Sequence, residues 1–386
     1  MKIIQVGTAY PMRGGIAQYV ALLFQELSKQ NEVKVFSFKR QYPEFLFPGK
    51  TQYETGEPAL KVPDDKNVIA IDSINPFNWI FTGLKMRKEN ADLIIYKYWI
   101  PFFAIQYSVI SFFAKVFRKT KVMYICDNVI PHERRFADIL LTKIAFLFVD
   151  YFLVQSKTVE TELKQFNKKN KPYILTPHPI YNIFGDIVEK NKSAEIIGKK
   201  YNINLYNKKI LLFFGYIRKY KGLINIIEAM SIVRNKYPEA LLLVAGEFYE
   251  DSSPYYSKIK DLKLEDNVSI VSDFIPDEDV KYFFSVSDSV VLPYSSASQS
   301  GIVQIAYHFN KPVIASKIGG IGEVIVEGKT GLLVPPDNPD MLAGAILNFY
   351  ENNLEQDFIK GIISEKEKYS WQTYTNKIYN LVKLNK

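Results

Sequence analysis

Short apolar runs rich in β-branched residues alternate with helix-forming segments along all 386 residues of the chain. Nearly continuous apolar strands joined by helices are typical of parallel sheets that are covered on both faces. The scheme occurs twice in succession, and the chain is long enough for two ordinary domains. The sequence therefore predicts an α/β protein of two doubly wound domains that face each other across a cleft. Because ligands of open parallel sheets bind beyond the carboxyl ends of the strands, the functional site is expected in that cleft.

The bounds of the predicted elements follow the apolar runs. Strands are predicted at residues 2–6, 33–38, 68–71, 93–97, 121–126, 151–154 and 173–175, and in the second half at residues 209–214, 240–245, 268–270, 289–292, 312–315 and 331–334. Helices are predicted at residues 16–28, 222–236, 277–287 and 302–310, and Ser370 is a start signal for a last one. Pro177 and Pro179 prevent a strand or helix from continuing between the halves. The predicted domains are residues 1–178 and 179–368, followed by a helical segment of residues 369–386.

Positive charge is concentrated in the first half of the chain. Residues 1–178 hold 25 Lys and Arg against 16 Asp and Glu, whereas residues 179–386 hold 24 against 25. A one-sided basic field favours anionic partners, and we expect an anionic membrane surface among them; ordinary solvated lysines are the alternative. A nucleic-acid partner is not expected, because the basic half lacks a recognised motif. The single cysteine, Cys126, and an N-terminus without a secretion signal indicate a cytoplasmic protein, peripheral on the inner face of the cell membrane.

Residues 98–114 carry no charge. A membrane-spanning helix needs about 20 predominantly apolar residues, and this segment is shorter and contains a proline and several polar residues. We expect a helix that packs on the first sheet, because the flanking strands need a cover. The alternative is a helix that touches a membrane surface, for which Lys115, Arg118 and Lys119 would be suited.

Residues 211–222 read Leu-Leu-Phe-Phe-Gly-Tyr-Ile-Arg-Lys-Tyr-Lys-Gly. An apolar run ends in Gly215, cations follow, and Gly222 opens an amphipathic helix. This order places Arg218 and Lys221 at the mouth of a strand–loop–helix unit, where the free amides of a helix start already favour negative charge. Two cations there can neutralise a diphosphate. Taken alone, the segment is equally consistent with a solvated basic loop.

Further loops at strand ends have the composition of phosphate-binding turns. Gly14 and Gly15 precede the first helix, where a backbone without side chains can approach a ligand closely. The small residues at 295–301 can expose successive amides, so the turn from Ser300 to Ile302 can surround phosphate oxygens. A glycine-rich loop at residues 316–323 follows. Each loop by itself is also explained as a tight turn, but together they outline a site for a diphosphate.

His132 is the histidine best placed for a functional role, in a loop after a predicted strand and beside Glu133. Such a histidine can donate a hydrogen bond to a ligand or titrate near neutral pH. His178 and His308 show no ligand-type spacing to it, so no metal site is expected. We interpret His178 as structural.

In this order, the segments resemble the family 4 retaining glycosyltransferases of the GT-B fold. The resemblance covers nearly the whole chain and is more specific in the second half. Such enzymes transfer a sugar from a nucleotide-diphosphate-sugar donor to an acceptor, retain the anomeric configuration, and need no metal or other cofactor. The matching pieces are Gly14-Gly15, Pro131-His132-Glu133, Phe214-Gly215 with Arg218 and Lys221-Gly222, Val244-Ala-Gly-Glu247, and Pro312-Val-Ile-Ala-Ser316 with Gly319-Gly320, Glu323 and Gly331-Leu-Leu-Val334.

The resemblance implies a role for each matching position. Arg218 and Lys221 would hold the donor diphosphate and stabilise the leaving charge, and His132 would face the sugar; these three are the expected catalytic residues. Gly15 would meet the same phosphates from the first domain, and the final helix around Trp371 would cross back to that domain. The expected donor-binding residues are Gly14, Gly15, Gly215, Phe274, Ile275, Ser298, Gln299, Ser300, Gly301, Ile302 and Gln304.

The sequence departs from the family at one pair of positions. The family commonly carries two glutamates eight positions apart, and aligned on Gly301 these positions are Ser298 and Ala306. The second glutamate usually holds the ribose hydroxyls, a role for which Gln304 or Gln299 can substitute. The chain is similar to a subgroup with a Ser-Gln-Ser-Gly turn, so the departure does not imply inactivity.

The expected function is sugar transfer to a lipid-linked or polysaccharide acceptor at the cytoplasmic membrane face, in the synthesis of cell-surface glycans. Loops near residues 42–48 and 130–136 would select the acceptor. Two alternatives stay open. A nucleotide-sugar 2-epimerase of similar fold would need carboxylates in its site, for which Asp127, Glu133 and Glu247 are the candidates. A non-catalytic sugar-nucleotide-binding subunit would account for the missing glutamates.

Overall fold

The chain forms two compact units in the computed structural model, which describes residues 1–43, 51–54, 56–130 and 136–385. The first unit consists of Met1–Pro179 and Ser370–Lys386, and the second of Ile180–Tyr369. The C-terminal segment therefore belongs to the first unit, although the whole second unit precedes it in the sequence.

The first unit is built on a parallel sheet, with seven strands among the described residues. Its strands are β1 (Lys2–Val6), β2 (Glu32–Arg40), β3 (Asn67–Asp72), β4 (Leu93–Tyr98), β5 (Lys121–Cys126), β6 (Tyr151–Val154) and β7 (Tyr173–Leu175). They lie in the order β3-β2-β1-β4-β5-β6-β7, and every pair of neighbours is parallel. The chain extends first to one edge and then to the other, so the order reverses between β1 and β4.

Helices connect these strands. They are α1 (Gly15–Ser28), α2 (Pro76–Glu89), α3 (Ala104–Lys115), α4 (Phe136–Ala145) and α5 (Lys157–Phe166), and the C-terminal α14 (Trp371–Leu384) joins the same unit. Ser370 caps α14 by accepting a hydrogen bond from the Thr373 N–H, as the start signal at this serine predicts. The helix packs on α1, β6 and β7.

The second unit repeats the architecture. Its strands are β8 (Lys209–Phe214), β9 (Ala240–Ala245), β10 (Val268–Val271), β11 (Ser289–Leu292), β12 (Val313–Ser316) and β13 (Gly331–Val334). They form a parallel sheet in the order β10-β9-β8-β11-β12-β13, whose switch point lies between β8 and β11. The remaining helices are α6 (Lys190–Tyr201), α7 (Leu223–Lys236), α8 (Ser253–Asp261), α9 (Asp277–Val286), α10 (Gly301–His308), α11 (Gly319–Val324), α12 (Pro339–Glu351) and α13 (Glu355–Glu365).

Burial explains why the apolar runs form strands. All residues of β4, β9 and β11 are buried, as expected for parallel strands that are covered by helices on both faces. The predicted strand bounds are confirmed to within two residues, and so are those of the four predicted inner helices.

The charge-free segment forms a helix that packs on the first sheet, as predicted. It begins with a short 3-10 turn at Pro101–Phe103 and continues as α3, whose Tyr107 and Ile110 are fully buried. The Tyr107 ring lies 4.7 Å from the ring of Tyr96 on β4. Within the described ranges, no helix has the length and apolar character needed to cross a bilayer.

Two glycines of the second unit offer a matched test of its packing. Gly344, in the middle of α12, has open space around the position of a β-carbon, whereas a β-carbon on Gly361 of α13 would lie 1.9 Å from the Lys329 carbonyl oxygen. We expect Gly344→Ala to raise the free energy of unfolding by about 0.5–1 kcal/mol, because alanine loses less chain entropy in a helix. Gly361→Ala should lower it by about 1–3 kcal/mol, because the backbone must move apart. Urea denaturation of both variants measures the difference, and equal effects would contradict the packing described.

Candidate functional site

Two loops meet at the switch point of the second sheet. Residues 215–222 follow β8 and residues 293–300 follow β11, and the Ser295 N–H donates a hydrogen bond to the Tyr220 carbonyl over 2.8 Å. Gly222 has a φ of 68°, and a β-carbon there would lie 1.9 Å from the Pro293 carbonyl oxygen. Because no side chain fits this approach, only glycine allows the two loops to pack so closely.

The loop after β8 is held by its neighbour after β9. Beyond the end of the strand, the Gly215 N–H donates to the Ala245 carbonyl and the Ile217 N–H to the Glu247 carbonyl, both over 2.8 Å. The Lys219 N–H donates to the Glu250 carboxylate over 2.9 Å. The cationic loop is therefore a rigid extension of the sheet and not a freely solvated segment.

Lys221 lies at the centre of this arrangement. Its side chain is buried, with 8% of the residue exposed. A β-carbon on Gly215 would lie 3.3 Å from the Lys221 Nζ and 3.4 Å from the Ile302 Cδ1, so both side chains converge on the same glycine. Two segments that are far apart in the sequence, residues 211–222 and the turn at Ser300–Ile302, are thus brought together.

The environment of Lys221 disfavours its charge. Burial and, to a smaller extent, the nearby Arg218 guanidinium lower the pKa of Lys221 from its ordinary value of 10.5 to about 7. Within the described residues, neither cation has a carboxylate partner at ion-pair distance. A buried cation without a countercharge destabilises the fold, and such groups concentrate at functional sites.

Arg218 borders a row of aromatic rings. It is exposed, and its guanidinium lies 5.0 Å from the centre of the Tyr249 ring. The Tyr249 and Tyr216 rings are 4.3 Å apart, and Phe274 lies 6.4 Å from Tyr216. Phe274 was predicted from the sequence, whereas Tyr216 and Tyr249 were not. Their position just beyond the carboxyl ends of adjacent strands is the signal that identifies them.

The serine-rich loop after β11 ends in the cap of α10. The Ile302 N–H donates to the Ser300 hydroxyl over 3.3 Å, so this amide is used within the protein. The Ser300 and Gly301 amides have no acceptor among the residues that the structure describes. Of the three amides expected to face phosphate, these two are therefore open for an anion.

The glycine-rich loop after β12 supports the serine-rich loop. The Gly320 N–H donates to the Ser298 carbonyl over 2.9 Å. A β-carbon on Gly319 would lie 1.9 Å from the Ala297 carbonyl oxygen, so the two loops are packed backbone to backbone. The two loops, which were predicted as separate anion-binding turns, therefore pack on each other. The serine-rich loop leads into α10, and the glycine-rich loop supports the serine-rich loop.

The positions of the two missing glutamates are both buried. Ser298 is 6% and Ala306 0% exposed. Gln304 is also buried, and its Oε1 has no hydrogen-bond partner in the described part of the chain, whereas Gln299 is half-buried. Ile275, expected near a nucleotide base, is buried at the end of the loop that follows β10.

The expected residues of the first unit lie at the start of α1 or outside the described ranges. Gly14 precedes α1 with a φ of 99°, and Gly15 is the first residue of the helix. His132 and Glu133 lie outside the described residues, as does most of the predicted acceptor segment 42–48. Asp127 is bound to Lys97, with 2.5 Å between its Oδ1 and the lysine Nζ.

His178 is part of the core of the first unit. Its ring packs edge-on against Tyr19 at 5.2 Å between ring centres. Burial and the nearby Lys97 lower the pKa of His178 from 6.5 to about 3, so this imidazole is neutral at physiological pH. Within the described residues, no group of three or more His, Cys, Asp or Glu side chains is arranged to hold a metal ion.

Comparison with known proteins relates the second unit to a family. Residues 195–364 match the family described as Glycosyl transferases group 1. The match lies within the second unit and covers most of it. Spore coat protein SA of Bacillus subtilis is 22% identical over 413 residues, covering 100% of both chains. D-inositol 3-phosphate glycosyltransferase of Paenarthrobacter aurescens is 28% identical over 167 residues, which cover 42% of this chain and 40% of the relative.

Solved structures resemble the chain over its whole length. Sucrose-phosphate synthase from Thermosynechococcus elongatus matches with a TM-score of 0.73 at 18% identity and covers 100% of both chains. Anabaena HepE in complex with UDP matches with a TM-score of 0.75 at 16% identity, covering 99% of this chain and 100% of the other. The predicted GT-B fold of two Rossmann-like domains is confirmed.

The lowered pKa of Lys221 predicts a pH-dependent stability. Between about pH 7 and pH 10.5 the unfolded chain binds a proton that folded Lys221 does not, so this residue makes stability rise with pH in that window. We expect Lys221→Met to be more stable than the parent at pH 6 by on the order of a few kcal/mol. The gap should close as the pH rises toward 10.5. The control is Lys219→Met, because Lys219 is exposed. Urea denaturation across this pH range measures the free energy of unfolding of both variants and the parent. A difference in stability between Lys221→Met and the parent that does not change with pH would contradict burial of the charge.

Proposed function

We propose that this chain is a retaining glycosyltransferase that binds a nucleotide-diphosphate sugar at the carboxyl edge of its second sheet. The convergence of Lys221, Gly215 and Ile302, with Arg218 beside them, is the observation that carries the proposal. A diphosphate supplies the countercharge that the two cations lack among the described residues. Transfer of the sugar leaves additional negative charge on this diphosphate, which the same cations stabilise.

The surrounding loops support the same assignment. The Ser300 and Gly301 amides, which have no acceptor among the described residues, lie at the start of α10, where the helix dipole favours an anion. The rings of Tyr216, Tyr249 and Phe274 offer an aromatic border for the base of the nucleotide. HepE, which shares the fold, was solved in complex with UDP, in accord with a nucleotide site in such a chain.

Further features of the proposed reaction rest on the family resemblance. We propose that the anomeric configuration is retained, that Arg218 and Lys221 supply the positive charge at the diphosphate without a metal ion, and that His132 and Gly15 serve the donor from the first unit. The proposed acceptor is lipid-linked or polysaccharide, in cell-surface glycan synthesis at the cytoplasmic membrane face. Gln299 and Gln304 are the candidates for the ribose contacts of the missing glutamates.

A non-catalytic sugar-nucleotide-binding subunit is the second candidate. It is favoured by the uncharged residues Ser298 and Ala306 at the positions of the family's glutamates. The epimerase alternative needs a carboxylate from Asp127, Glu133 or Glu247, and of these Asp127 is ion-paired with Lys97. Binding of a nucleotide without sugar transfer to any acceptor would select the non-catalytic candidate.

Removal of either cation should weaken nucleotide binding and turnover. A thermal-shift screen with UDP, GDP, ADP and dTDP first identifies the base, because a ligand at 100 times its Kd adds about 2.7 kcal/mol of stability. We expect Arg218→Ala and Lys221→Ala each to raise the Kd of that nucleotide by about 10- to 100-fold, through loss of a charged hydrogen bond. Sugar transfer from the matching radiolabelled donor into a lipid extract should fall by about 100- to 1,000-fold.

Lys219→Ala is the matched control, because Lys219 is exposed and lies between the two cations in the sequence. It should leave binding and transfer within about twofold of the parent. Parent-like binding and transfer in both cation variants would refute the proposed site. Nucleotide binding by the parent without any sugar transfer would favour the non-catalytic subunit.

Nucleotide binding should also take up a proton above neutral pH. Because the pKa of Lys221 is lowered to about 7, the Lys221 amine is neutral in most molecules at pH 8.5. A bound diphosphate favours the charged form of this amine, so binding adds a proton to it. We expect calorimetry at pH 8.5, in buffers of different ionisation enthalpy, to show uptake of up to one proton per nucleotide bound. Lys221→Met should abolish the uptake and Lys219→Met should keep it. A binding heat that is the same in every buffer would contradict the role of Lys221.

A further inference from the structure

Helices α2, α3 and α4 form one layer of the first unit. α2 packs against α3, and α3 against α4. The closest approach is at Gly83 of α2, where a β-carbon would lie 2.7 Å from the Phe113 Cβ and 2.8 Å from the Ile110 carbonyl oxygen. Because α2 and α3 pack so closely, their exposed sides lie next to each other.

The outward side of α2 is unusual for a helix that faces water. Its exposed residues include Phe77, Phe81, Lys85 and Lys88, which are four, four and three positions apart and so lie along one stripe. Phe77 is 74% and Phe81 69% exposed. The first half of the stripe therefore consists of two exposed aromatic side chains, and the second half consists of two lysines.

The neighbouring helices continue this apolar surface. Ile105 and Phe112 of α3 are exposed seven positions apart, and Ile139 and Leu140 of α4 are also exposed. We call the surface made by Phe77, Phe81, Ile105, Phe112, Ile139 and Leu140 the apolar face. Clusters of exposed apolar side chains on neighbouring helices are typical of interaction sites.

Cations border the apolar face. Lys85 and Lys88 end the stripe of α2, Arg118 and Lys119 follow α3, and Lys143 lies on α4; all are exposed. We call these five residues the basic rim. Within the described part of the chain, none of them is held in an ion pair. Next to the rim, the Arg87 guanidinium lies 5.8 Å from the ring centre of Phe117, a side chain that is 91% exposed.

We propose that the apolar face docks on an anionic lipid bilayer, with its side chains in the boundary between headgroups and acyl chains and the basic rim on the anionic headgroups. Helices that lie in this boundary combine an exposed apolar surface with lysine and arginine at its edge. The charge of the rim selects this occupant over a second copy of the chain. In a two-fold symmetric pair the same patch meets itself, which would bring two unpaired basic rims together.

Docking is independent of sugar transfer, because it uses other residues and can be measured without donor or acceptor. Docking is measured by sedimentation of the full chain with phosphatidylcholine vesicles, prepared with and without 30% phosphatidylglycerol. We expect binding to the vesicles that contain phosphatidylglycerol, and weaker binding when NaCl rises from 0.1 to 0.5 M, since salt screens the rim.

Variants separate the two parts of the surface. Phe77→Ser with Phe81→Ser should weaken binding at least tenfold, because two buried aromatic side chains are lost from the lipid. Lys85→Glu with Lys88→Glu should weaken it by about twentyfold or more, since each lysine near an anionic surface accounts for about fivefold. Two pairs of substitutions in the second unit serve as controls. Met341→Ser with Ile363→Ser changes two exposed apolar residues, and Lys199→Glu with Lys260→Glu changes two exposed lysines. They should bind like the parent.

Other results would overturn the proposal. No sedimentation with either vesicle, or equal effects of the face and control variants, would exclude docking through this surface. Sedimentation equilibrium without lipid tests the alternative occupant: a dimer that Phe77→Ser with Phe81→Ser dissociates would assign the apolar face to self-association. All of the substituted residues are exposed, and circular dichroism checks that each variant is folded.

Discussion

The proposed site depends on a buried lysine that has no carboxylate partner among the described residues. Lys221 is 8% exposed and lies against Gly215 and Ile302, at the point where the loops after β8 and β11 meet. The loops can hold it there because Gly222 lets one backbone pass directly over the other. A bound anion would offset the cost in stability of such a group, and this is the physical basis of the proposed diphosphate site.

A second buried lysine shows the contrast. Lys97 on β4 is 3% exposed, but its ammonium is 2.5 Å from the Asp127 carboxylate and 3.5 Å from the centre of the Tyr19 ring. Burial lowers the pKa of Lys97, and Asp127 opposes that effect. Both lysines lie near the carboxyl end of a parallel sheet. The charge of Lys97 is satisfied by its neighbours, whereas Lys221 has no countercharge among the described residues and is the lysine that we propose binds a ligand.

Most strands could be predicted from the sequence, because a buried parallel strand is an uninterrupted apolar run and needs no knowledge of its neighbours. The segments of the site could also be predicted one by one. What could not be predicted was their contact: Ile302 is far from Gly215 and Lys221 in the sequence, and the pairing of β8 with β11 places it beside them. The low pKa of Lys221 follows from that burial and has no sequence signature. Tyr216 and Tyr249 were missed because their stacking requires the pairing of β8 with β9.

Helix α2 was missed for a different physical reason. Helix prediction relies on apolar residues that face the core, and here Phe77 and Phe81 face outward while Thr82, Gly83 and Met86 are buried. Part of the uneven charge of the sequence lies beside this helix. Residues 1–178 carry 25 basic against 16 acidic residues. Lys34, Lys97 and Lys115 have acidic partners in the fold, whereas the basic rim has none among the described residues. Part of the excess charge therefore lies on helices that also carry outward-facing apolar side chains, a combination that favours an anionic lipid surface more than water or a second copy. A lipid-linked acceptor is confined to such a surface, so the proposed docking and the proposed acceptor class place the same demand on the first unit.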